Sequence, residues 1–532
     1  MRIFLICSLM LLLFKGYGQE DAWVYFKDKP EAGYYLENPL LMLSQKALDR
    51  RSKQGILLDE KDVPISQSYI DNVRITTGIE IKAKSKWLNA LHINGSVSAI
   101  GSLIDLSFVE SVQFADKSLN KSSKRARDQK NKFDVKANYD YGSSFNQINM
   151  LGGDYLHEKD FTGKGMTIAV MDAGFPNVDT FTAFQKIRDN GQLLGGYNFV
   201  NRNENVFTGY DHGTAVLSVM AGYVDGQLIG TAPEADYYLF ITEDSTQETP
   251  LEESLWVEAA EKADSLGVDV INTSLGYYTF DDPRYNYTYA DMNGNSAFIT
   301  RGADIAFSRG MILVNAAGNE GTNAWHYIIA PADGFNVLSV GAVDALENVT
   351  GFSSYGPSYD GRVKPDVLAK GGGTTILNSS GIVSTGNGTS FASPVICGLV
   401  ACLWQAYPTK TNAEIVQMIR ESADRYHNPT DHEGYGLPDF KIGYEALLAG
   451  SDVQEPGIRI YPNPFDEDIL VVADKDEGPL HVTVMDALGK KLILKLLKGE
   501  DRSVNCRILS PGIYMLNIQS EQGSTSFKII KR

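Results

Sequence analysis

The sequence contains few cysteines for its length. Only four occur in 532 residues, and one of them, Cys7, lies in an apolar N-terminal segment. The others are Cys397, Cys402 and Cys506, too few for the disulfide framework that stabilises small secreted domains. Cys397 and Cys402 lie five residues apart in a predicted helix, where their side chains point to different faces. We therefore expect buried free thiols and a fold stabilised by packing.

Basic residues are also scarce. The chain has 48 Lys and Arg against 66 Asp and Glu, which gives a formal net charge of −18. Such a charge balance argues against nucleic acid as the main partner, because phosphate backbones bind clustered basic side chains. Apolar residues make up 43% of the chain and aromatic residues 10%, enough for a large core. The length allows two to four domains.

Long apolar runs are confined to the N-terminus. Residues 1–18 begin with Met1-Arg2, continue through an apolar stretch at 3–14 and end in Gly16-Tyr17-Gly18. This is the arrangement of a secretory signal peptide. No later run reaches about 18 uncharged apolar residues, so we predict an exported protein without a transmembrane segment.

Shifts in composition and periodicity divide the rest of the chain. Residues 19–120 mix strand-like and helical patterns, typical of a small α/β domain, and the basic segment 121–138 predicts an exposed, unpacked linker. Across residues 139–450, short apolar strands alternate with helical stretches, which predicts a mostly parallel sheet with helices on both faces. A linker at 451–457 precedes an all-β sandwich at 458–532. Strands are predicted at 22–26, 78–83, 108–114, 166–171, 269–272, 311–314, 458–461, 469–473, 481–485, 512–518 and 526–530, and helices at 39–51, 215–223 and 250–266.

One serine is a candidate reactive residue. Ser390 lies in NGTSFASP, residues 387–394, just before the apolar run 395–403. It could belong to a helix cap, to the glycosylation sequon that starts at Asn387, or to a reactive site where a helix start stabilises negative charge. The local sequence does not choose among these interpretations. The choice depends on partners elsewhere in the chain.

Three further segments supply such partners. MTIAVMDAG places Asp172 at the end of an apolar strand, and DHGTAV places His212 before a helical stretch. Taken alone, Asp172 is typical of a turn and His212 of a structural hydrogen bond. With Ser390 they provide a carboxylate, a base and a nucleophile in the order Asp, His, Ser, which is the order in subtilisin. NAAGNEGT adds Asn319 as an amide donor for an oxyanion.

Together the four segments resemble the signature segments of subtilisin-like serine peptidases, over residues 139–450. IGTAPEA and VINTSLG also resemble segments of that family. The resemblance implies that His212 takes the proton of Ser390, that Asp172 orients His212, and that Asn319 and the Ser390 amide stabilise the oxyanion. It also implies that the chemistry requires no cofactor. Structural calcium is expected in such a protein, at a site that the sequence does not locate.

The expected substrate is an extended polypeptide bound between two segments. The first would be Ser274, Leu275 and Gly276, and the second Ala316, Ala317 and Gly318. The first segment would pair with the peptide backbone, and both would line the pocket for P1, the residue whose carbonyl carbon is attacked. Small wall residues favour a large P1 side chain, although the floor of the pocket is not identified by the sequence.

The segment 275–305 is longer than in a minimal subtilisin and rich in tyrosine and acidic residues. It is either an extended substrate-binding loop or a self-packed surface loop. Within it Asp291, Asn293 and Asn295 alternate as oxygen ligands do. The glutamate at the twelfth position of an EF-hand loop is missing and the glycine is displaced, which disfavours calcium at this site.

The flanking parts complete the prediction. Residues 19–120 occupy the position of the propeptide of this family, and we predict its removal near the basic linker, with a mature start between residues 121 and 139. The C-terminal part, with IYPNPF, VMDALGK and LSPGIYMLNI, resembles the sorting domains of the type IX secretion system. The chain is thus predicted to be a secreted serine endopeptidase made as a zymogen, released or attached at the cell surface. The alternative is a catalytically silent surface protein of the same fold.

Overall fold

The computed structural model describes residues 19–119, 132–133, 139–448, 458–461, 463, 465–473, 479–485, 491–498, 502–510, 512–519 and 524–531. The predicted signal peptide, the 451–457 linker and most of the basic linker lie outside the described residues. The chain divides into two units, Met1–Lys441 and Ile442–Arg532. Each unit is described by itself.

The first unit begins with a small α/β domain, as predicted. Its four-stranded antiparallel sheet has the strand order Ile79–Ser85, Ala90–Ser96, Gln19–Phe26, Val109–Phe114. Its helices are Ala32–Glu37, Gln45–Lys53, Gln67–Arg74 and Val97–Ser102, with single turns at Pro39–Leu41, Leu103–Asp105 and Lys117–Leu119. The prediction of one helix over 39–51 is wrong, because Ser44 starts a new helix by accepting a hydrogen bond from the Ala47 amide, 3.2 Å away.

A seven-stranded parallel sheet forms the centre of the first unit. The strand order is Val367–Lys370, Val337–Val343, Ile312–Ala316, Val270–Thr273, Thr167–Asp172, Asp236–Ile241, Leu193–Asn198. All six residues of Thr167–Asp172 are buried, so both faces of the sheet are covered, which confirms the predicted fold class. The chain runs to one side of this strand and then, from Val270 onward, to the other side. In such sheets the ligand crevice lies at this reversal.

Eight helices accompany this sheet within the described residues: Phe145–Asn149, Gly153–Glu158, Gln185–Asp189, His212–Ala221, Pro250–Leu266, Phe298–Ser308, Thr389–Ala406 and Asn412–Glu421. A further helix, Phe440–Leu448, includes the boundary between the two units. Single turns occur at Thr182–Phe184, Pro283–Tyr285 and Tyr289–Asp291. Helix Thr389–Ala406 contacts the four strands from Val270–Thr273 to Val367–Lys370. It is long and apolar enough to cross a membrane, yet 94% of it is buried inside the protein, as in a core helix. Cys397 and Cys402 are buried free thiols in this helix, as predicted.

Three two-stranded sheets complete the described part of the first unit. They pair Lys132–Phe133 with Tyr407–Thr409, Tyr223–Val224 with Leu228–Ile229, and Thr374–Leu377 with Val383–Gly386. The first of these corrects the prediction of a wholly unpacked linker, because Lys132 and Phe133 form backbone hydrogen bonds with a neighbouring strand. The alternation of basic and polar residues gave no signal for this pairing.

The N-terminal domain packs against two helices of the central part, Pro250–Leu266 and Phe298–Ser308. The Trp23 ring stacks on Phe298 at a centroid distance of 4.8 Å, and its Nε1 donates to Ser254 Oγ at 2.8 Å. His92 Nδ1 also lies 2.8 Å from Ser254 Oγ. An apolar stack and a shared serine thus anchor the sheet of the N-terminal domain.

Carboxylates on helix Pro250–Leu266 form the polar part of this interface. Glu261 accepts hydrogen bonds from the Ser85 hydroxyl at 2.6 Å and from the Lys86 and Trp87 amides at 3.0 Å. Asp264, which is fully buried, forms ion pairs with both Arg50 and Arg51. Each of these partners comes from the N-terminal domain.

The second unit contains two antiparallel sheets. One has the order Ile458–Tyr461, Asp468–Ala473, Ser503–Asn505, and the other Lys491–Leu497, Leu480–Met485, Gly512–Gln519, Ser524–Lys531. Val471 and Val504 from the first sheet share one apolar core with Val482 and Leu516 from the second. This confirms the predicted sandwich and adds two strands, Lys491–Leu497 and Ser503–Asn505, that the sequence pattern did not reveal.

Candidate active site

Asp172 and His212 are brought together by a strand end and a helix start. Asp172 is the last residue of strand Thr167–Asp172, and His212 is the first residue of helix His212–Ala221, three residues before the predicted start. A Cβ on Gly213 would lie 2.9 Å from the Asp172 Cβ and 2.4 Å from the Gly174 carbonyl oxygen. Glycine at position 213 therefore permits the helix to approach the strand end closely.

The two side chains form a charged hydrogen bond. His212 Nδ1 lies 2.9 and 3.1 Å from the two carboxylate oxygens of Asp172, which is fully buried. Burial of the imidazole lowers the pKa of His212, but the charge and hydrogen bond of Asp172 outweigh burial, so this pKa is raised from its ordinary value of 6.5. His212 is thus oriented by its Nδ1 and made more basic.

Ser390 lies at the start of the core helix. Gly388, with a φ of +149°, precedes the first helical residue, and Ser390 is the second. The Ser390 hydroxyl donates to the Ser274 carbonyl oxygen at 3.1 Å, and the Ser274 hydroxyl donates to the Ser390 carbonyl oxygen at 2.8 Å. The hydroxyl therefore does not cap the helix, which removes that interpretation. Its own amide is among the first helical N–H groups, which have no acceptor within a helix.

Phe391, the residue after Ser390, brings this segment to the His212 ring. The ring of Phe391, the residue after Ser390, lies 5.9 Å from the His212 ring between centroids. Among the described residues, the hydroxyl of Ser390 is bonded to Ser274 and to no atom of His212. The structure thus joins Asp172 to His212, brings the residue after Ser390 close to the His212 ring, and directs the Ser390 hydroxyl to the Ser274 carbonyl.

Asn319 is held by the residue that precedes Ser390. Its Oδ1 accepts hydrogen bonds from the Thr389 amide at 2.9 Å and from the Thr389 hydroxyl at 3.1 Å. The Gly318 amide donates to the same hydroxyl at 3.2 Å. Because two donors occupy Oδ1, the NH₂ group of Asn319 is directed away from Thr389, and the residue is exposed. Thr389 was not predicted as a site residue, because nothing in the NGTSFASP segment distinguishes its threonine from an ordinary polar residue.

The two predicted substrate segments follow adjacent strands. Ser274, Leu275 and Gly276 follow strand Val270–Thr273, and Ala316, Ala317 and Gly318 continue from strand Ile312–Ala316. These strands pair in parallel, so both segments leave the same edge of the sheet. Asn315 Nδ2 also donates to the Leu275 carbonyl oxygen at 3.3 Å. The segments lie on either side of Ser390, in contact with it or with Thr389.

Ile329 lies between these two segments. A Cβ on Gly276 would meet the Ile329 Cγ1 and Cδ1 atoms at 2.7 and 2.8 Å, and a Cβ on Gly318 would meet them at 3.1 and 3.2 Å. Ile329 was not predicted as a site residue, because it belongs to no recognisable motif. The fold brings it back to the site ten residues after Asn319.

The segment 275–305 has a role that neither predicted alternative included. Arg284 forms an ion pair with Glu20 of the N-terminal domain, and the Tyr285 hydroxyl donates to the same carboxylate at 3.1 Å. Asp291 forms an ion pair with Lys117 at 2.8 Å. This segment is a docking surface for the N-terminal domain.

The same segment gives no direct support for a metal. Asp291 Oδ2 accepts from the Thr288 amide at 2.8 Å, and Asn293 Oδ1 accepts from the Asn295 amide at 2.9 Å. The sequence pattern disfavours calcium at this position, and structural calcium at a site that the sequence does not locate stays a prediction. Elsewhere, carboxylate oxygens of Glu243, Glu248 and Glu252 lie within 4.8 Å of one another. Burial raises the pKa of Glu243 to about 8 and of Glu252 to about 9, which favours their protonated forms at neutral pH.

Comparisons with known proteins match three parts of the chain. Residues 163–444 match the Subtilase family, residues 21–132 the Peptidase S8 propeptide domain of Bacteroidota, and residues 459–532 the Secretion system C-terminal sorting domain. The type IX sorting domain indicates export across the outer membrane to the cell surface or the extracellular space.

Several curated proteins are similar to the central part. Subtilisin from Bacillus pumilus is 30% identical over 293 residues, which cover 54% of this chain and 94% of that protein. Subtilisin NAT from Bacillus subtilis subsp. natto has the same identity over 68% of its length. Subtilisin-like protease SBT6.1 from Arabidopsis thaliana is 30% identical over 334 residues, which are only 29% of its length. The chain, with its propeptide and sorting domain, therefore belongs to the subtilase family of serine endopeptidases.

Proposed function

We propose that the protein is a secreted serine endopeptidase that cleaves polypeptides through Asp172, His212 and Ser390. The observation that carries the proposal is the hydrogen bond of 2.9 Å between buried Asp172 and His212, next to a serine at a helix start. The propeptide match supports synthesis as a zymogen. The partners in this proposal are polypeptide substrates and the type IX secretion machinery.

The first step turns the Ser390 hydroxyl from the Ser274 carbonyl toward His212 Nε2. A hydroxyl rotates about a single bond, and hydrogen bonds between catalytic groups are often longer before a substrate binds. His212 then takes the proton while Ser390 Oγ forms a bond to the carbonyl carbon of the substrate. Asp172 accepts the Nδ1–H hydrogen bond and stabilises the imidazolium without taking its proton.

The negative oxygen of the tetrahedral intermediate is stabilised by the Asn319 NH₂ group and the Ser390 N–H. Both donors are fixed before the reaction, the first by Thr389 and the second by the helix. The positive end of the helix dipole adds to this stabilisation. His212 returns the proton to the leaving nitrogen as the C–N bond breaks, and water then hydrolyses the acyl-enzyme. No cofactor takes part in these steps.

The second candidate function is binding without catalysis. The observation that favours it is the Ser390 hydroxyl bonded to Ser274 and not to His212. The two functions differ in one property, the nucleophilicity of Ser390. A catalytic serine reacts with electrophiles that leave an ordinary hydroxyl intact.

Labelling with a serine-directed fluorophosphonate tests the proposal on protein purified from cells that express the full chain. We expect covalent labelling at Ser390 and hydrolysis of casein, both lost in Ser390→Ala. Ser422→Ala is the matched control, because the Ser422 hydroxyl also donates to a backbone carbonyl oxygen, that of Ile419. A wild-type protein that takes up no label and cleaves no casein after removal of the propeptide would support the silent binding protein.

A further inference from the structure

We propose that Ile329 forms the floor of the P1 pocket and restricts cleavage to peptide bonds that follow small residues such as glycine, alanine and serine. The inference rests on the proposed function and adds a substrate class to it. It reverses the expectation from the sequence, in which small wall residues favoured a large P1 side chain.

The location of the pocket follows from the contacts of the reactive segment. Ser390 Oγ touches the start of the first wall at the Ser274 carbonyl, 3.1 Å away. Thr389 touches the second wall through the Gly318 amide and the Asn319 side chain. A carbonyl carbon bonded to Ser390, with its oxygen toward Asn319, must direct its side chain between these two segments. The P1 pocket is therefore the space between Gly276 and Gly318.

The Ile329 side chain fills the inner part of that space. Its Cγ1 and Cδ1 atoms lie so close to both glycines that a methyl group on Gly276 would collide with them at 2.7 and 2.8 Å. On Gly318 the same addition would meet them at 3.1 and 3.2 Å. One side chain thus contacts both walls, and a long P1 side chain has no free depth between them.

The backbone around Ile329 is attached to both walls. The Ile329 amide donates to the Ala317 carbonyl oxygen at 3.2 Å, and the next residue, Ala330, exchanges hydrogen bonds of 2.8 and 3.1 Å with Tyr277. Ile329 itself is 8% exposed, so its side chain is packed and not free to move into solvent. Moving the floor away for a large substrate would break these hydrogen bonds.

A substrate with a small P1 residue requires no such movement. Glycine, alanine and serine have at most two side-chain heavy atoms, which fit at the mouth of the pocket above Ile329. Each extra methylene that a pocket accepts or rejects changes transition-state binding by about 10- to 200-fold. A phenylalanine side chain has several more carbons than the two heavy atoms that fit above Ile329. Discrimination against phenylalanine at P1 should therefore be at least about tenfold.

Quenched fluorogenic peptides that differ only at P1, with alanine or phenylalanine, test the proposal. The concentration of active protein is measured by fluorophosphonate labelling of Ser390. We expect the wild-type protein to cleave the alanine peptide with a kcat/KM at least about tenfold higher. Ile329→Gly and the milder Ile329→Ala should raise the ratio of phenylalanine to alanine cleavage, Ile329→Gly by about 10- to 200-fold.

Ile229→Ala is the matched control, because Ile229 is also a buried isoleucine but packs against Tyr141 and Ile148. Its ratio should equal that of the wild type. Wild-type cleavage after phenylalanine as fast as after alanine would overturn the proposal even if Ile329→Gly does not fold. A labelled, active Ile329→Ala variant with an unchanged ratio would overturn it too. Absence of any labelling at Ser390 would instead contradict the proposed function.

Discussion

The active site and the interface of the N-terminal domain use buried carboxylates in different ways. In the active site, Asp172 is paired with His212 of the same part of the chain. At the interface, Asp264 and Glu261 have partners that all belong to the N-terminal domain. Removal of this domain therefore uncovers the interface carboxylates but leaves the Asp172 pair intact. The domain contributes no group to the pair on which the proposed chemistry depends.

The largest effect on the interface is expected from Asp264→Asn. Asp264 has no exposed side-chain surface, and the change leaves the buried guanidinium groups of Arg50 and Arg51 without this charge. Loss of one member of a buried ion pair costs about 3–5 kcal/mol. The free energy of unfolding of the full chain should fall by about that amount in urea titrations. Ser390→Ala in the background prevents self-cleavage during the measurement.

The matched control is Asp49→Asn, on the exposed side of the same N-terminal helix that carries Arg50 and Arg51. Asp49 only accepts a hydrogen bond from Gln45 at 2.8 Å. Its substitution should change the free energy of unfolding by less than about 0.5 kcal/mol. Equal effects of the two substitutions on the free energy of unfolding would contradict a stabilising role for the buried ion pairs of Asp264.

A somewhat smaller effect, and one confined to the active site, is expected from Asn319→Ala. The substitution removes the proposed side-chain donor to the oxyanion, which would act in the transition state and not on the bound substrate. For an equivalent donor in subtilisin, kcat falls by about 10²–10³, or about 2.7–4 kcal/mol, and we expect a similar loss here. KM should be unchanged in steady-state peptide hydrolysis. Asn190→Ala, which removes an amide bonded to Gln192 at 3.1 Å, should leave kcat unaltered.

The smallest effect concerns pH. Burial raises the pKa of Glu261 to about 7 from an ordinary value of 4.5, which the unfolded chain regains. As pH rises between these values, the unfolded chain releases this proton while the folded chain keeps it. The contribution of Glu261 to stability is therefore lost with rising pH, by up to about 1.4 kcal/mol per pH unit.

Urea titrations of the Ser390→Ala chain from pH 5 to pH 8 measure this dependence. Glu261→Gln keeps an acceptor for the Ser85 hydroxyl but removes the titration, so its stability should vary less with pH over the same range. An identical pH slope in both chains would contradict a raised pKa at this interface.

Sequence patterns predicted elements that have clear end signals or continuous apolar runs. Helix Pro250–Leu266 has the predicted bounds, since a proline starts it and Gly267 ends it with a φ of +83°. The three strands of the central sheet that were predicted, at 166–171, 269–272 and 311–314, lie within about two residues of the observed bounds, because continuous apolar runs mark buried parallel strands. The break at Ser44 was missed because a capping serine looks like any polar residue within a helix.

Of the candidate site, the sequence supplied the reactive residue types and their order along the chain. It did not supply the partner of the Ser390 hydroxyl, the role of Thr389 in holding Asn319, or the docking of Arg284 and Tyr285 on Glu20. These contacts join residues that lie far apart in the chain. A pattern of neighbouring residues contains no information about such pairs.

The residue types alone establish which side chains can do chemistry here, because acidity, nucleophilicity and hydrogen-bonding capacity belong to each side chain. The room that a substrate has is set by the fold. The space between Gly276 and Gly318 depends on a third segment that returns to fill it with Ile329. Packing between distant segments sets volumes, and volume is the property that selects among otherwise similar peptides.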